Sequence, residues 1–311
     1  MRKHSRNLFP PVVTLGLIGT AILFVGLGTA VAQRKGNGGG GGTSTQTGWI
    51  EQFNDGDITK RGWGIEHTGA VDSQFGVPGV GVAKSFDREN VAIAEGILNL
   101  KLNLTYSGGT WTSNGALVYT KQTYGYGTYE WCMRKSSTAT SPTALSTPDL
   151  NKPPSGGVSA SFVYVNNSQT EIDFEQAAAK DISGSNGILY WWLYMANWTN
   201  LRPTYTRWKV TEISGNPNPP YAEFKTYKFD WKKDYVEFLV NGTKVAFHTQ
   251  NVPRTAAYVL MNHWGTNSPD GFGGPAEAGE RYFYVDWVRY TPPGAQPQPV
   301  SGGSKCPGSA P

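Results

Sequence analysis

The chain has 311 residues and a formal net charge of +4, and 16% of its residues are charged while 13% are aromatic. This length predicts one large or two small domains, and the weak net charge excludes the strongly basic surface of a nucleic-acid-binding protein, so we expect no nucleic-acid partner. The aromatic content suits surfaces on which flat sugar rings stack, although β-proteins also use aromatic residues in their cores.

The first 32 residues have the features of an export signal. A basic start precedes a largely apolar run at residues 12–25, and the small-x-small motif Ala30-Val31-Ala32 follows. An uncleaved membrane anchor is the alternative, because the run is nearly long enough to cross a bilayer. Four glycines dilute the run, so we expect the segment to be cleaved and the protein to be secreted. If the segment is retained, it would anchor the protein in the cell envelope. We expect no other membrane partner. Cleavage removes Arg2, Lys3 and Arg6 and lowers the formal charge from +4 to +1.

Composition divides the rest of the chain into three parts. Residues 33–48 are rich in glycine and form a flexible linker. Residues 292–311 are rich in Pro, Gly and Ser, which predicts a disordered tail. Between them, residues 49–291 form one compact domain, which we expect to be a monomer.

The domain has the pattern of an all-β protein. Short segments rich in β-branched and aromatic residues are separated by Gly, Asn, Asp or Pro, and no stretch of ten residues has helical periodicity. Asn241-Gly242 is a favoured two-residue hairpin turn. Many short strands with turn signals predict a sandwich or jelly roll. The predicted strands are ILNLKLNL, GALVYTKQ, GTYEWCMRK, SASFVYV, TEIDFE, ILYWWLYM, KTYKFDW, DYVEFLV with TKVAFHT, AYVLMNHW and RYFYVDWVRY.

One predicted strand, QTEIDFEQ at residues 169–176, carries three carboxylates. Glu171, Asp173 and Glu175 alternate with apolar residues, so a strand would place all three on one face. Hydrolysis of a glycosidic bond needs one protonated and one ionised carboxyl group, and a third acid would raise its neighbours' pKa values. Positions 171 and 175 lie about 13 Å apart along a flat strand, so a curved sheet would be needed. The alternative is an exposed acidic strand face beside Lys or Arg residues.

The segment EIDFE resembles the active-site signature of glycoside hydrolase family 16. Further segments are similar to that family in the same order along the chain, from about Gly115 to Tyr290. Their residue sequences are most similar to those of its lichenase-like branch. They are YTKQTYGYGTYEWCMR, SFVY, YKFDW, VEFLVNG, VLMNHWG and YVDWVRY. The resemblance implies a concanavalin A-like β-jelly roll of two curved antiparallel sheets, with a substrate cleft along the concave face.

The resemblance also implies retaining, two-step hydrolysis of a β-linked polysaccharide. Carried over by motif, Glu171 would be the nucleophile and Glu175 the general acid and then base, while Asp173 would modulate Glu171. No cofactor is implied for catalysis. The chain is therefore expected to be a secreted endo-acting glycoside hydrolase with a polysaccharide substrate. A transglycosylase on the same scaffold and a noncatalytic glycan-binding sandwich are the alternatives, although a lectin has no need of all three acids.

Several residues match family positions that line the cleft. Asn262 and Trp264 have matching parity, with an inner-sheet core pair as the alternative, and Phe162 and Tyr164 precede the catalytic strand. In LYWWLYM, one face carries Tyr190, Trp192 and Tyr194, and the other carries Trp191 and Leu193; we expect the first set to reach the cleft. Tyr119, with Leu117, takes positions where the lichenase-like branch has substrate-contacting Glu and Arg.

Other departures from that branch leave the glycan open. Gln169 stands where the branch has Trp, and Gln176 begins a segment that replaces its Phe-Leu-Gly. The segment LSTPDLNKPPSGG is longer than the branch has at this edge and is expected to reshape one end of the cleft, since loops set specificity on a shared scaffold.

A structural calcium site is a further expectation from the resemblance. Asp286 matches a position where many family members bind Ca²⁺ on the convex side, with backbone carbonyls near Gly96 completing the site, and oxygen ligands suit calcium. The alternative is an Asp paired with Arg289 or water. Export permits a disulfide between Cys132 and Cys306, although a partner in a flexible tail argues against one, and the pairing stays open.

Overall fold

The computed structural model describes residues 47–135, 155–165, 168–180, 189–209, 223–269 and 271–306, with only the backbone at residues 179–180 and 189–191. The predicted export signal, most of the predicted linker and most of the predicted insertion at the cleft edge lie outside the described residues. Within the described ranges, no helix has the length and apolar character needed to cross a membrane.

The described chain is built almost entirely from strands, joined by two short 3₁₀ turns at Ile58–Arg61 and Arg88–Asn90. The prediction of an all-β fold is therefore confirmed. In chain order the strands are β1 (Trp49–Glu51), β2 (Trp63–Ile65), β3 (Ala83–Phe86), β4 (Val91–Ala94), β5 (Ile97–Ser107), β6 (Thr110–Tyr124), β7 (Gly127–Lys135), β8 (Gly157–Val165), β9 (Thr170–Lys180), β10 (Leu189–Thr199), β11 (Arg202–Lys209), β12 (Lys225–Trp231), β13 (Val236–Val240), β14 (Thr243–His248), β15 (Ala257–Gly265) and β16 (Gly279–Thr291).

The strands form two sheets of a jelly-roll sandwich, and their pairings are antiparallel except for that of β3 with β6. The inner sheet has the order β11-β10-β9-β8-β15-β6, and the outer sheet has the order β5-β16-β7-β12-β13-β14. Strand β6 belongs to both, because residues 110–114 pair with β5 and residues 116–124 pair with β15. Gly115 lies where β6 passes between them, and a Cβ there would lie 2.2 Å from the carbonyl oxygen of His263. This crossing therefore requires glycine.

The main core lies between the two sheets. Alternate residues of inner-sheet strands, such as Ile172 and Phe174, meet alternate residues of the outer sheet, such as Trp131 and Phe229. The ring centroids of Phe174 and Phe229 are 6.3 Å apart. Because one face of the inner sheet is used by this core, every second side chain of β9 must point to the opposite, concave face.

The hairpin predicted at Asn241-Gly242 joins β13 to β14. Both residues have positive φ, 47° and 78°, as a two-residue hairpin turn requires. The Asn241 side chain also accepts a hydrogen bond from the backbone N–H of Thr226 at 2.9 Å, which ties the turn to β12. The turn follows from local sequence, whereas an irregularity between Phe238 and Leu239 shifts the register of the rest of the hairpin.

The C-terminal segment differs from its prediction. Residues 292–306 pack against the outer sheet instead of forming a disordered tail, and Cys306 forms a disulfide with Cys132 of β7. Val300 and Cys306 are buried with Trp287 in an apolar cluster on the outer face of this sheet. The backbone is fixed further by Ser301, whose N–H and hydroxyl both donate to the Gln52 side chain. Apolar burial and a covalent link therefore override the Pro/Gly/Ser composition.

Candidate active site

Strand β9 presents three carboxylates on the concave face. Glu171, Asp173 and Glu175 alternate with Ile172 and Phe174, which are fully buried in the core between the sheets. The side-chain period of two in a strand thus separates acids from apolar residues as the sequence predicted. Asp173, at the centre, is 2% exposed, whereas Glu171 and Glu175 are partly exposed. The outer two carboxylates can therefore meet a ligand that Asp173 does not reach as easily.

The strand register gives each carboxylate its own row of neighbours across the inner sheet. The row of Glu175 contains Tyr194 on β10, Ala160 on β8 and Asn262 on β15. The row of Asp173 contains Ala196, Phe162 and Leu260, and the row of Glu171 contains Trp198, Tyr164 and Tyr258. The concave face is thus acidic along β9 and largely aromatic or small on either side. Such a surface offers stacking walls beside groups that transfer protons.

Asp173 is the least exposed to solvent of the three acids. Burial raises the pKa of its carboxyl well above the usual value, and the charges of Glu175 and Glu171 raise it further. The side chain of Trp198 and the backbone N–H of Ala196 donate hydrogen bonds that oppose this rise. Its Oδ1 is buried without a hydrogen-bond partner among the described residues. A proton bound by Asp173, or shared with a neighbouring carboxylate, would satisfy this oxygen.

The two glutamates differ in their surroundings. Burial raises the pKa of Glu171 to about 7, while the Ser168 hydroxyl, which donates a hydrogen bond to its Oε2, opposes the rise. Burial and then the charge of Glu171 raise the pKa of Glu175 to about 8, while the charge of Lys135 opposes the rise. Both glutamates therefore hold a proton to a higher pH than an exposed glutamate does. Their surroundings differ, because a hydroxyl donor favours ionised Glu171 and a buried lysine favours ionised Glu175.

Most predicted wall residues share the concave face, but several are covered. Trp264 is 1% exposed and packs at 6.0 Å from Phe272, so its indole is not an open stacking surface. Tyr119 is 4% exposed, and its ring lies 4.9 Å from Phe75. Neither residue presents a free face, which differs from the open walls that we expected, because the segments around residues 75 and 272 pack over them.

The remaining predicted wall residues lie in the same sheet. Phe162 and Tyr164 are mostly buried, with ring centroids 6.4 Å apart. Asn262 is 3% exposed, and its Oδ1 is buried without a hydrogen-bond partner among the described residues. Trp192 faces the same side as Tyr194, and the Arg207 guanidinium lies 4.7 Å from its ring centroid. The backbone of Tyr190 lies in β10, but its side chain is outside the described residues.

Sequence reasoning missed three polar contributors. Trp198 continues the parity of Trp192 and Tyr194, so extending the alternation along β10 would have found it. Ser168 lies in the turn before β9, where no local pattern marks it. Glu66 is 1% exposed and accepts hydrogen bonds from the Ser73 hydroxyl and the Gln74 backbone N–H. Because Gln74 also donates to the Tyr119 hydroxyl at 3.3 Å, Glu66 helps to fix the segment that covers Tyr119.

Gln176, where the sequence departs from the lichenase-like branch, does not lie at the substrate cleft as we expected. Its side chain has the parity of Ile172 and Phe174 and is completely buried on the core side. Gln176 is therefore a packing difference and does not line the concave face. Gln169 lies in the turn before β9, where its backbone N–H bonds to the Val165 carbonyl at 3.1 Å.

Asp286, the side chain that we expected to bind calcium, contacts the C-terminal segment. Its Oδ2 atom accepts the Lys305 backbone N–H at 2.7 Å and the Ser304 hydroxyl at 3.3 Å, so the chain's own donors occupy one oxygen of this carboxylate. No group of three or more His, Cys, Asp or Glu residues suited to a metal occurs in the part of the chain that is described. The alternative pairing with Arg289 is also not found, since Arg289 pairs with Glu130 at 2.8 Å.

Comparisons with known proteins agree with this architecture. The family model for "Glycosyl hydrolases family 16" matches residues 81–289. A β-glucanase of Brevibacillus brevis is 41% identical over 71 residues, which are 22% of this chain and 27% of the relative. A β-glucanase of Acetivibrio thermocellus is 26% identical over 226 residues, which are 68% of this chain and 56% of the relative. The matches thus span between about a quarter and about half of these relatives.

Among solved structures, a prokaryotic β-1,3-1,4-glucanase (lichenase) derived from a mouse hindgut metagenome has the same fold. The superposition has a TM-score of 0.58 at 20% identity and covers 79% of this chain and 100% of the other. The fold of this chain is therefore that of a known architecture.

Proposed function

The chain belongs to glycosyl hydrolases family 16, and on that premise we propose that it is a secreted, endo-acting glycosidase that cleaves a β-linked polysaccharide with retention of configuration. The observation that carries this proposal is the set of three carboxylates on one face of β9, where burial raises the pKa values of both glutamates. A noncatalytic glycan-binding sandwich would have no use for such buried and mutually repelling acids, which cost stability.

In the first step, ionised Glu171 attacks the anomeric carbon of the bound sugar and forms a covalent glycosyl ester. The bond to the leaving glycosidic oxygen breaks, and Glu175 transfers its proton to that oxygen, so the aglycone portion leaves as a neutral alcohol. The higher pKa of Glu175 favours its protonated form while Glu171 is ionised. The Ser168 hydroxyl, which bonds to Glu171 Oε2, stabilises the ionised nucleophile.

In the second step, the now ionised Glu175 removes a proton from a water molecule. The resulting hydroxyl oxygen bonds to the anomeric carbon, and the ester bond to Glu171 breaks, which returns both carboxyl groups to their starting states. Two inversions at the same carbon give net retention.

Asp173 lies between the two glutamates and acts on their protonation. Its raised pKa and its unpartnered Oδ1 favour a proton at this position. A proton shared between Asp173 and Glu171 would lower the repulsion between these two carboxylates in the free enzyme. When that proton moves to Asp173, Glu171 is left ionised and becomes the more reactive nucleophile. Trp198 limits how strongly Asp173 holds that proton, because its side chain donates to the carboxylate.

For the substrate we propose a β-glucan. The support is that the relatives named above are β-glucanases, and that the concave face carries aromatic side chains beside the acids. Export of the enzyme through residues 1–32 would bring it to such polymers outside the cell.

The roles of the two glutamates are tested by azide rescue. The purified protein and its Glu171→Ala and Glu175→Ala variants are incubated with an aryl β-glucan oligosaccharide that has an activated leaving group, and the products are analysed by NMR. With azide, Glu171→Ala should form an α-glycosyl azide, because azide replaces the nucleophile directly. Glu175→Ala should form a β-glycosyl azide through the ester. The matched control Glu237→Ala, in β13 of the outer sheet, should retain wild-type cleavage.

Exchanged azide products would reverse the two roles. Unchanged cleavage of mixed-linked β-glucan, laminarin or xyloglucan by Glu171→Ala would remove the proposal. Product analysis with and without an added acceptor oligosaccharide then shows whether water or a sugar resolves the ester, which separates a hydrolase from a transglycosylase.

A further inference from the structure

Lys135 is a lysine in the core of the sandwich. It is the last residue of β7 and shares the inward parity of Trp131 and Met133, so its side chain points between the sheets and is 0% exposed. Lysine is almost never fully buried unless its charge is compensated, and moving an ammonium group out of water is costly. A lysine in this position therefore needs a specific reason.

The Lys135 ammonium joins the outer sheet to the catalytic strand. Its Nζ donates to the Gly157 carbonyl oxygen at 2.7 Å and to the Gln176 carbonyl oxygen at 2.8 Å. Gly157 begins β8, and Gln176 follows Glu175 directly in β9. Both contacts are short, charge-assisted hydrogen bonds. They fix the backbone of β9 at the peptide between Gln176 and Ala177, one residue beyond the proposed acid/base residue Glu175.

The charges around Lys135 single out Glu175. Burial lowers the pKa of Lys135 well below its usual value, and the like charge of Arg281 on β16 lowers it further, whereas Glu175 on β9 is the opposite charge that favours the ammonium form. His263 on β15 is also buried close by, and the charge of Lys135 helps to keep its imidazole neutral. Lys135 is thus the positive group that acts on Glu175 from the core side of the sheet.

We propose that Lys135 is a positioning residue for the proposed acid/base Glu175: it holds the backbone of β9 at the Gln176 carbonyl, one residue beyond Glu175, and places a positive charge on the core side of the strand. This inference rests on the proposed function. Lys135 contacts the backbone of the catalytic strand and not the sugar, so it acts through Glu175. Without the ammonium, Glu175 would hold its proton more tightly and would be less well oriented.

The proposal gives a defined pH effect. The groups that face Glu175 are Glu171 and Asp173 on its own strand, Tyr194 on β10 with Arg207 behind it on β11, and Lys135 on β7. Removing only the positive charge of Lys135 leaves the repulsion from Glu171 unopposed. The alkaline limb of kcat/KM should then move to higher pH by about one unit or more, which is the typical effect of a nearby opposite charge on the pKa of a carboxyl group.

The test compares Lys135→Met with a matched control. Lys225→Met removes a second lysine that is 0% exposed, on neighbouring strand β12, whose ion-pair partner is Glu223 at 3.5 Å. Lys135→Met should shift the alkaline limb upward and lower kcat/KM about tenfold, mainly through kcat, because orientation of the acid/base is lost. Lys225→Met should leave the alkaline limb in place, even if both variants lose similar stability. A folded Lys135→Met variant with the wild-type pH profile would overturn the proposal.

Two further measurements keep the test independent of folding and of substrate choice. If Lys135→Met does not fold, Lys135→Arg takes its place, because it retains the charge but displaces the backbone anchor. For this variant kcat/KM should fall while the alkaline limb stays in place, and an unchanged kcat/KM would contradict the proposal.

NMR titration of protein labelled with ¹³C at the glutamate carboxyl groups measures the Glu175 pKa without any substrate, and the Glu175→Gln variant identifies its signal. An unshifted Glu175 signal in Lys135→Met overturns the inference even if no glycan is cleaved, whereas failure of the proposed function appears as no cleavage by the wild-type protein.

Discussion

Lys305 donates its backbone N–H to the Asp286 carboxylate at 2.7 Å, although the two residues are 19 positions apart. Asp286 lies at the register shift between Val285 and Trp287, where β16 pairs with β7. The carboxylate is thus turned toward the C-terminal segment, which is held there by the Cys132–Cys306 disulfide and by the bond from Trp287 Nε1 to the Ser304 hydroxyl at 2.9 Å. The chain itself satisfies a carboxylate that the family resemblance assigned to a metal.

Calcium should therefore have no effect on the stability of this protein. We expect the same melting temperature, within about 1 °C, in 2 mM CaCl₂ and in 2 mM EDTA, measured by scanning calorimetry, since a ligand that binds neither state shifts nothing. Asp286→Asn should lower the melting temperature equally in both buffers, because it weakens the contact with Lys305 and Ser304. A melting temperature that rises with calcium in the wild-type protein, and no longer rises in Asp286→Asn, would show that a metal does bind there.

The Cys132–Cys306 disulfide should contribute strongly to stability. It closes a loop with a sequence separation of 174 residues, and loss of a native disulfide typically costs about 2–4 kcal/mol. We expect Cys306→Ala to lower the free energy of unfolding by that amount in urea titrations. The wild-type protein measured with a reductant should reach the same value, and the reductant should not change Cys306→Ala. Equal stability of the wild-type protein with and without reductant would argue against a formed bond.

Local patterns predicted much of this structure, and long-range contacts account for what they missed. The face shared by Glu171, Asp173 and Glu175 follows from strict alternation, and the turn at Asn241-Gly242 follows from two residues that tolerate positive φ. The Cys132–Cys306 pair joins distant parts of the chain, and the composition around Cys306 argued against it. Local composition carries no information about a distant partner.

The candidate site shows the same division. The sequence predicted which residues share the concave face, because parity alone decides that. It could not predict that Phe272 covers Trp264 or that Trp198 bonds to Asp173, since both contacts depend on how segments pack across the sheet. Lys135 is the clearest example: its parity with Met133 points its side chain inward, but lysine is normally exposed, and only the carbonyl groups of Gly157 and Gln176 on other strands show what its ammonium contacts in the core.

The pH dependence of cleavage should follow the two glutamates. The reactive form has Glu171 ionised and Glu175 protonated, and their pKa values are raised to about 7 and about 8. We therefore expect kcat/KM to rise as pH passes about 7 and to fall as pH passes about 8, with the two limbs belonging to the coupled pair. Initial rates at substrate concentrations well below KM, from pH 5 to pH 10, measure this profile. An optimum near pH 5 would contradict it, while the control Glu237→Gln should reproduce the wild-type curve.

Asp173 should destabilise the folded protein at neutral and alkaline pH. Its folded-state pKa is raised well above 3.8 by burial and by the charges of Glu175 and Glu171, whereas in the unfolded chain it ionises near its usual value. The folded state therefore holds a proton that the unfolded state has lost, so stability is highest below the unfolded pKa and falls as pH rises toward the folded pKa.

Asp173→Asn cannot ionise, and its amide oxygen can still accept the bonds from Trp198 and Ala196. We expect this variant to unfold at a higher temperature than the wild-type protein at pH 8, by about 2–4 °C for each kcal/mol gained, and to lose that advantage at pH 4. The exposed control Asp234→Asn should show no such pH-dependent gain. A gain of equal size at both pH values would mean that repulsion among the three carboxylates is not its cause.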